Sequence, residues 1–362
     1  MKEPGNILII RFSSLGDLVL TTPIYRELRK IYPRSRLTLL TSEGFGSVMN
    51  NNPHLDRIFK HPRRESWKKL SELIRTLKRE RFDLIYDAHC SLRSRWIVWQ
   101  ITAFGLKSKP RVWTIDKRSL KRQMLVRLKI NRLKDGLPQR LQWILPLQTG
   151  SSEPLEDHTE LFPDEEVIKN VKLRMEENGL QPGSFLALAP SASHPLKCWP
   201  LVHFRNLARM MLDAGWPIVL VGGPDEPEPE LLKQEFGERI VNFAGLLSPL
   251  ESAEVLRHAK RLVTNDTSLG HMAEALGTPS VVLFGPTVKE FGYAPFLPES
   301  RLMETGRDLN CRPCSKEGRG VCRNPETLVC LDSIPPQTVY DALELPGAVG
   351  DSTAETNLDR AK

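Results

Sequence analysis

Residues 261–287 contain a strand, a helix and a second strand, separated only by short turns. Apolar runs at 262–264 and 281–284 flank a helical pattern that starts after several N-cap candidates and ends at Gly277. Strands joined through a helix lie parallel in one sheet. The stretch therefore predicts a parallel α/β sheet, with the polar start of the helix at the carboxyl edge, where such folds bind ligands.

The same alternation of strand and helix occurs in both halves of the chain. Further strands are predicted at 6–12, 36–41, 82–87, 112–115, 184–189, 217–221 and 240–243. A segment rich in Pro, Ser, Gly and acidic residues, 146–163, separates the halves. We therefore predict an α/β protein of two doubly wound, Rossmann-like domains facing across a cleft. The predicted domains are 1–160 and 161–345, followed by a disordered tail, 346–362.

Charge is unevenly divided between these halves. Residues 1–160 contain 31 Lys and Arg against 16 Asp and Glu, whereas the remainder contains 20 against 28. A basic half is suited to a polyanionic partner, or it is a solvated face without one. Few aromatic residues lie among the cations, which argues against nucleic acid. The sequence has no span-length apolar stretch and no signal-peptide pattern at its start, so we expect a cytoplasmic protein.

The basic segment 117–134 has an amphipathic helical pattern. Lys121, Arg122, Arg127 and Lys129 lie among apolar residues. Such a helix can lie on an anionic bilayer, or it can be a surface helix whose apolar stripe packs on the core. The pattern leaves both alternatives open.

A lysine and a helix start are predicted at one sheet edge of the second half. The lysine is in the loop after the first strand, and the helix follows a later strand. Because carboxyl ends of parallel strands share an edge, a cation and a helix N-terminus should meet there, which suits a diphosphate. The candidate binding residues of this edge are Ser191, Ser193, Lys197, Asp266, Thr267, Ser268 and His271.

In the first half, Gly16 and Asp17 follow the first strand. Gly16 would allow the backbone to pass close to a ligand. Asp17 would project into the crevice from the first helical turn, either as a helix cap or as a general base. The chain lacks the glycine fingerprint of dinucleotide-binding enzymes, which argues against an oxidoreductase, and it lacks the Walker, HExxH and GxSxG sequences.

Five segments carry a family resemblance that runs in unchanged order from about residue 6 to residue 345. They are FSSLGDLVLTTPIYRELRKIYP, KCWP, VGGP, FAGLLSPLESAEVLRHAK and NDTSLGHMAEALGTPSVVLFGPT. Together they resemble the bacterial lipopolysaccharide heptosyltransferases of glycosyltransferase family 9. The resemblance implies a GT-B fold, with an acceptor-binding domain followed by a nucleotide-sugar donor-binding domain. It also implies heptose transfer from ADP-L-glycero-D-manno-heptose to the lipopolysaccharide inner core, onto Kdo-lipid A or a heptosyl acceptor.

The resemblance also assigns roles at the sheet edges. Asp17 corresponds to the catalytic base and Lys197 to the lysine at the leaving diphosphate, with Asp266–Ser268 at the helix start. No metal is required, and attack opposite the diphosphate would invert the anomeric carbon. Ser268 departs from the family, which usually has glycine there, and narrows the phosphate pocket. A phosphorylated lipid A-core acceptor would be met at the anionic inner face of the cytoplasmic membrane.

Two other functions fit the same residues. One is a family 9 transferase that uses another nucleotide-sugar or an acceptor outside lipopolysaccharide. The other is a non-catalytic module that binds a nucleotide or an anionic lipid. The joint presence of Asp17, Lys197 and Asp266 argues against the second.

Four cysteines near the end of the chain have the spacing C-x2-C-x7-C-x7-C. They are Cys311, Cys314, Cys322 and Cys330. This spacing can hold a tetrahedral structural metal, zinc or iron. Reduced thiols and two local disulfides are the alternatives that the spacing leaves open.

Overall fold

A computed structural model describes residues 3–62, 67–103, 109–151 and 153–345. The tail predicted to be disordered, 346–362, lies outside the described residues. The elements of the first half are β1 (Asn6–Ile10), α1 (Leu15–Leu20), α2 (Thr22–Ile31), β2 (Arg36–Ser42), α3 (Glu43–Gly46), β3 (Arg57–His61), α4 (Trp67–Arg79), β4 (Leu84–Asp87), α5 (Leu92–Ala103), β5 (Arg111–Thr114), α6 (Ser119–Leu128) and α7 (Gln139–Ile144).

The second half contains the remaining helices and strands. They are α8 (Glu165–Glu177), β6 (Leu186–Ala189), α9 (Leu201–Asp213), β7 (Ile218–Leu220), α10 (Pro227–Phe236), β8 (Ile240–Asn242), α11 (Pro249–His258), β9 (Arg261–Asn265), α12 (Ser268–Ala275), β10 (Ser280–Phe284), β11 (Arg301–Glu304), α13 (Val329–Asp332) and α14 (Pro336–Asp341). Short 3-10 turns occur at Ser47–Met49, Leu145–Gly150, Pro195–Lys197, Gly237–Arg239 and Lys289–Phe291.

The strands form two parallel sheets. The first has the order β3-β2-β1-β4-β5 and the second the order β11-β10-β9-β6-β7-β8. In each sheet the direction in which successive strands are added reverses beside the first strand. This switch lies between β1 and β4 in the first sheet and between β6 and β9 in the second. Crevices at such switch points are where doubly wound sheets bind ligands. The predicted fold class of two doubly wound α/β domains is confirmed, and the domain boundary after residue 160 stays a prediction.

Of the four edge strands, β5 and β8 were predicted from the sequence, whereas β3 and β11 were not. Central β1, with the sequence NILII, has its last four residues buried because helices cover both faces of the sheet. β3 and β11 have the sequences RIFKH and RLME and are only partly buried. Charged residues are common on edge strands, where they prevent further pairing, and they conceal the apolar pattern.

The helix predicted after the first turn is divided in two. Thr21 separates α1 from α2, and its Oγ1 donates to the carbonyl of Leu18 at 2.7 Å. Pro23 is the second residue of α2, where its missing N–H leaves no hydrogen bond unmade. The bend lets α1 turn towards the second half while α2 covers the first sheet.

The two halves share a continuous apolar cluster. Leu18 and Val19 of α1 belong to the same buried cluster as Ala253 of α11 and Met272 of α12. This burial holds the first helix of one sheet against the last crossover helix of the other. The carboxyl edges of both sheets therefore face each other. None of the described helices is both long and apolar enough to traverse a bilayer.

Candidate active site

Asp17 lies in the first turn of α1, at the carboxyl edge of the first sheet. Its Oδ2 is 2.5 Å from Nη2 of Arg11 and accepts hydrogen bonds from the backbone N–H and hydroxyl of Ser14, at 3.1 and 3.2 Å. Its Oδ1 accepts only the hydroxyl of Tyr293, at 3.4 Å, among the groups described. One carboxylate oxygen is thus fixed, and the other faces the second half. Asp17 takes part in a helix cap and also points into the cleft.

The charge on Asp17 is stabilised by its neighbours. Burial raises the pKa of this carboxyl, but the Arg11 guanidinium and the Ser14 hydrogen bonds outweigh burial and leave the pKa below its ordinary value. Arg11 is itself buried, donates to the carbonyl of Ala88 at 2.5 Å and lies 4.5 Å above the ring of Trp143. Asp17 is therefore ionised at neutral pH and held in one orientation.

Thr267 is the N-cap of α12. Its backbone is extended, and its Oγ1 accepts the N–H of Leu269 at 3.3 Å while pairing with the hydroxyl of Thr264 at 3.0 Å. Ser268 is the first residue of the helix. The N-terminus of α12 thus opens at the carboxyl edge of β9, as the sequence predicted.

Lys197 and Asp266 form an ion pair beside that helix start. The Lys197 ammonium is 2.7 Å from Oδ2 of Asp266 and donates to the Asp266 carbonyl at 3.2 Å. Oδ2 also accepts the hydroxyl of Thr287 at 2.9 Å. Both side chains of the pair are largely buried. The structure thus brings together the cation and the helix N-terminus that the sequence placed at one edge.

The two serines of the lysine loop differ in position. Ser191 is buried and donates to Oε2 of Glu228 at 2.7 Å, whereas Ser193 is exposed. Asn265, at the end of β9, ties the loop to the sheet by donating to the carbonyl of Pro190 at 2.8 Å and accepting the N–H of Trp199 at 2.9 Å. A ligand role for the serines stays a prediction.

Gly16 lies where α1 meets α12. A Cβ at this position would be 3.0 Å from Cδ2 of His271 and 3.3 Å from Cα of Ser268. The sequence suggested close approach of a ligand to Gly16, but the structure shows close approach of a helix from the other half. The absence of a side chain is what brings Asp17 next to the start of α12.

His271 lies between the two halves of the site. Its ring centroid is 6.2 Å from that of Tyr293, the residue that donates to Asp17. Burial lowers the pKa of His271, and the carboxylates of Asp266 and Asp17 offset this only in part. His271 is therefore neutral at physiological pH, and a donor or acceptor rather than a cation.

Sequence analysis did not identify Arg11, Thr287 or Tyr293. Arg11 directly follows the apolar run of β1, and a charge at the end of a buried strand is a signal that could have indicated it. Thr287 and Tyr293 follow β10 in a segment without periodicity. Their roles depend on contacts with Asp266 and with Asp17 of the other half.

The basic helix α6 packs against the second half of the chain. Leu125 is buried with Val288 and Phe291, and Arg122 donates to the Phe291 carbonyl at 2.9 Å. Lys129 Nζ donates to two carbonyls of the cysteine segment, at 3.1 and 2.8 Å. Of the alternatives left open for this helix, the structure supports packing on the core.

All six cysteines are free thiols in the structure. Burial raises the pKa of Cys314, and the charges of Cys311 and Cys322 raise it further, so these sulfur atoms are near one another. Among the described residues, however, no group of three or more Cys, His, Asp or Glu side chains is arranged to hold a metal ion. The geometry as it stands does not fit a closed metal site. A structural metal stays a prediction.

Comparison with known proteins gives concordant matches. The profile of glycosyltransferase family 9 (heptosyltransferase) matches residues 70–321. The lipooligosaccharide heptosyltransferase 2 of Haemophilus influenzae is 26% identical over 333 residues, covering 86% of this chain and 93% of that protein. A family 9 glycosyltransferase structure from Veillonella parvula superposes with a TM-score of 0.76 at 20% identity, over 94% of this chain and 97% of its own. The ADP-heptose lps heptosyltransferase II of Escherichia coli superposes with a TM-score of 0.69 at 21% identity, with the same coverage.

Proposed function

Because this chain belongs to glycosyltransferase family 9 and is thus a glycosyltransferase, we propose that it transfers heptose from ADP-L-glycero-D-manno-heptose to the lipopolysaccharide inner core. The names of the Haemophilus and Escherichia relatives support the sugar and the class of acceptor. The structural observation that carries the proposal is the α1–α12 contact. It brings the ionised Asp17 next to the helix start that holds the Lys197–Asp266 pair.

Asp17 would act as the general base. Its Oδ2 is occupied by Arg11 and Ser14, so Oδ1, which accepts only the long hydrogen bond from Tyr293 among the groups described, would take the proton of an acceptor hydroxyl. As the acceptor hydroxyl loses its proton to Asp17, its oxygen forms the new bond to the anomeric carbon. A lowered pKa keeps the base ionised but also makes it weak, so its contribution depends on orientation as much as on basicity.

The leaving diphosphate would depart towards α12. The bond between the anomeric carbon and the phosphate oxygen breaks, and its electron pair passes to that oxygen. Lys197 and the first N–H groups of α12 would stabilise the resulting charge. The base belongs to the first half and this helix start to the second, so we propose that the acceptor attacks from the face opposite the diphosphate. The configuration of the anomeric carbon would then be inverted.

Donor and acceptor can be tested separately. We expect ADP and its heptose to raise the melting temperature more than GDP- or UDP-linked sugars, and Lys197→Ala to weaken ADP binding because Asp266 loses its counter-ion. With Kdo-lipid A in micelles, mass spectrometry should show addition of one heptose. Preference for another nucleotide would indicate another donor. Hydrolysis of the donor without transfer would indicate another acceptor. If no nucleotide binds, the protein would be a non-catalytic module.

We further propose that the protein binds the cytoplasmic face of an anionic membrane, where a lipid-linked acceptor resides. The surface that supports this is at the start of α4 and α5, which pack side by side beyond the carboxyl ends of β3 and β4. Trp67 and Leu92 are 79% and 88% exposed. Exposed Lys68 follows Trp67 in the sequence, and exposed Arg95 lies about one helical turn after Leu92. Tryptophan with flanking cations is typical of membrane-interface surfaces.

Vesicle binding tests the membrane surface. We expect Trp67→Ser combined with Leu92→Ser to reduce cosedimentation with phosphatidylglycerol vesicles by about tenfold or more, because two apolar side chains no longer enter the interface. Leu231→Ser on α10, where Leu231 is 41% exposed, is the matched control. Equal binding by the double variant and the parent would exclude this surface.

A further inference from the structure

A cavity of about 800 Å³ lies between α6 and the segment 311–323 of the second half. It has walls from both halves of the chain. Its charged lining consists of Arg127, Lys129, Lys316, Arg319, Arg323 and a single carboxylate, Glu317. A cavity with five cations and one anion is suited to a ligand with several negative oxygens.

Part of this charge is already compensated within the protein. Glu317 Oε2 is 3.0 Å from Nε of Arg319, which accounts for the one carboxylate of the lining. The ammonium of Lys129 is occupied by the carbonyls of Cys311 and Pro313. Lys129 thereby helps to hold the segment against α6.

Three cations of the lining have no such compensation. No carboxylate in the described part of the chain lies within ion-pair distance of Arg127, Lys316 or Arg323. Three cations without a carboxylate partner thus line one cavity, where a bound anion would offset their mutual repulsion.

The segment that forms one wall is continuous with the donor edge of the cleft. Gly318 lies directly on Lys197, since a Cβ on Gly318 would be 2.6 Å from Cγ of that lysine. Arg312 donates from Nη2 to the Thr287 carbonyl at 2.8 Å, and the Thr287 hydroxyl donates to Asp266. The cavity therefore adjoins the Lys197–Asp266 pair.

The helix that forms the other wall is connected to the base. Arg122 of α6 lies 5.4 Å from the ring of Tyr293, and the Tyr293 hydroxyl donates to Asp17. Contacts thus lead from the cavity to both the base and the diphosphate edge. A molecule with one group at Asp17 could place another group in the cavity.

We propose that this cavity binds an oxyanion of the acceptor sugar, a phosphate or a carboxylate, while the acceptor hydroxyl lies at Asp17. The inference rests on the proposed function, because it names the acceptor feature that the same site recognises. The donor diphosphate has its own cation and helix N-terminus at Lys197 and α12, so the cavity cations are additional to that requirement. Arginine is especially suited to oxyanions, which it can bind through two parallel N–H groups.

Direct binding provides the test, because it does not depend on turnover. The probes are deacylated Kdo2-lipid A, which carries phosphates and carboxylates, the same sugar after phosphatase treatment, and its Kdo-free disaccharide bisphosphate. Calorimetry compares the parent with a triple variant, Arg127→Gln, Lys316→Gln and Arg323→Gln. The control variant, Lys169→Gln, Lys172→Gln and Lys260→Gln, removes equal charge from exposed positions of the second half.

The triple variant should bind the intact sugar at least about tenfold more weakly than the parent. ADP affinity should change less than twofold in the triple variant, and the control should resemble the parent. If phosphate is the recognised group, phosphatase treatment should weaken binding to the parent and leave the triple variant unaffected. If carboxylate is recognised, the treated sugar should bind the parent normally, and the disaccharide bisphosphate should not.

The proposal is overturned if the triple variant binds the intact sugar as the parent does, or if the parent binds none of the probes. Loss of ADP affinity alone would assign the cavity to the donor instead. A transfer assay with ADP-heptose separates this result from the proposed function. Transfer with unchanged acceptor affinity would reject only the cavity, whereas the expected loss of affinity without any heptose transfer would reject only the heptosyl function.

Discussion

Replacement of Arg11 by glutamine should convert Asp17 from a carboxyl with a lowered pKa into one with a raised pKa. Arg11 is the strongest of the groups that lower this pKa, whereas burial, the largest single influence, raises it. With the guanidinium removed, the hydrogen bonds from Ser14 and the long one from Tyr293 are left to oppose burial. A cation in contact with a carboxylate lowers its pKa by about 1–3 units. We therefore expect the pKa of Asp17 in Arg11→Gln to lie above its ordinary value of 3.8, because burial is then the dominant influence.

The pH dependence of kcat/KM measures this change. In the parent, Asp17 stays ionised as the pH falls to its lowered pKa, so no acid limb from this group should appear above about pH 4. In Arg11→Gln the rate should begin to fall at a higher pH than in the parent, because Asp17 takes up its proton there. Arg261→Gln, which removes a buried arginine paired with Glu299 at the opposite end of its sheet, should leave the profile unchanged.

Stability provides a second measure, with a definite sign. In the parent, the lowered pKa of Asp17 contributes stability above the unfolded value of 3.8, and this contribution is lost as pH falls through the folded pKa. In Arg11→Gln the folded pKa lies above the unfolded value, so stability from this group is present at low pH and lost as pH rises. Relative to the parent, the variant should thus be destabilised more at pH 7 than at pH 4. An acid limb identical to that of the parent would refute the role of Arg11.

Three further results are expected. Asp17→Asn should lower kcat by about 10²–10⁴-fold with ADP affinity intact by calorimetry, and near-normal turnover would remove Asp17 from the role of base. Gly16→Ala should lower the free energy of unfolding by about 1–3 kcal/mol in urea, because the new methyl meets α12. Gly44→Ala is the control: a methyl group at Gly44 would have nothing within 4 Å, so this variant should not lower the free energy of unfolding. If the cysteines share a metal, elemental analysis should give about one equivalent of zinc or iron that Cys314→Ser loses, whereas four freely titrating thiols would exclude it.

The sequence was sufficient to predict the fold class and the location of the candidate site. Buried parallel strands leave continuous apolar runs, and the residues that follow them must lie at the carboxyl edge. Asp17 follows β1, Lys197 follows β6 and Asp266 follows β9, which are three of the four strands beside the switch points. Topology alone therefore indicated which edges face each other, although it gave no distances.

The contacts that complete the site could not be predicted in this way. The Tyr293–Asp17 hydrogen bond joins residues 276 positions apart, and Tyr293 lies in a loop without a periodic pattern. Arg11 is next to Asp17 in space because the turn after β1 folds back, a detail that apolar periodicity does not encode. Edge strands β3 and β11 were missed for a related reason: their pattern is set by solvent exposure rather than by a buried core.

The helix α6 shows why charge pattern alone does not identify a partner. An amphipathic basic helix has the same local sequence whether its apolar stripe meets lipid or protein. Long-range contacts distinguish the two alternatives. Arg122 donates to the carbonyl of Phe291, 169 residues away, and Lys129 donates to two carbonyls of the cysteine segment. The excess of cations in residues 1–160 therefore overstates the charge available to ligands. Cations that remain without carboxylate partners, such as Arg127 beside the cavity, are the ones that an anionic acceptor can reach.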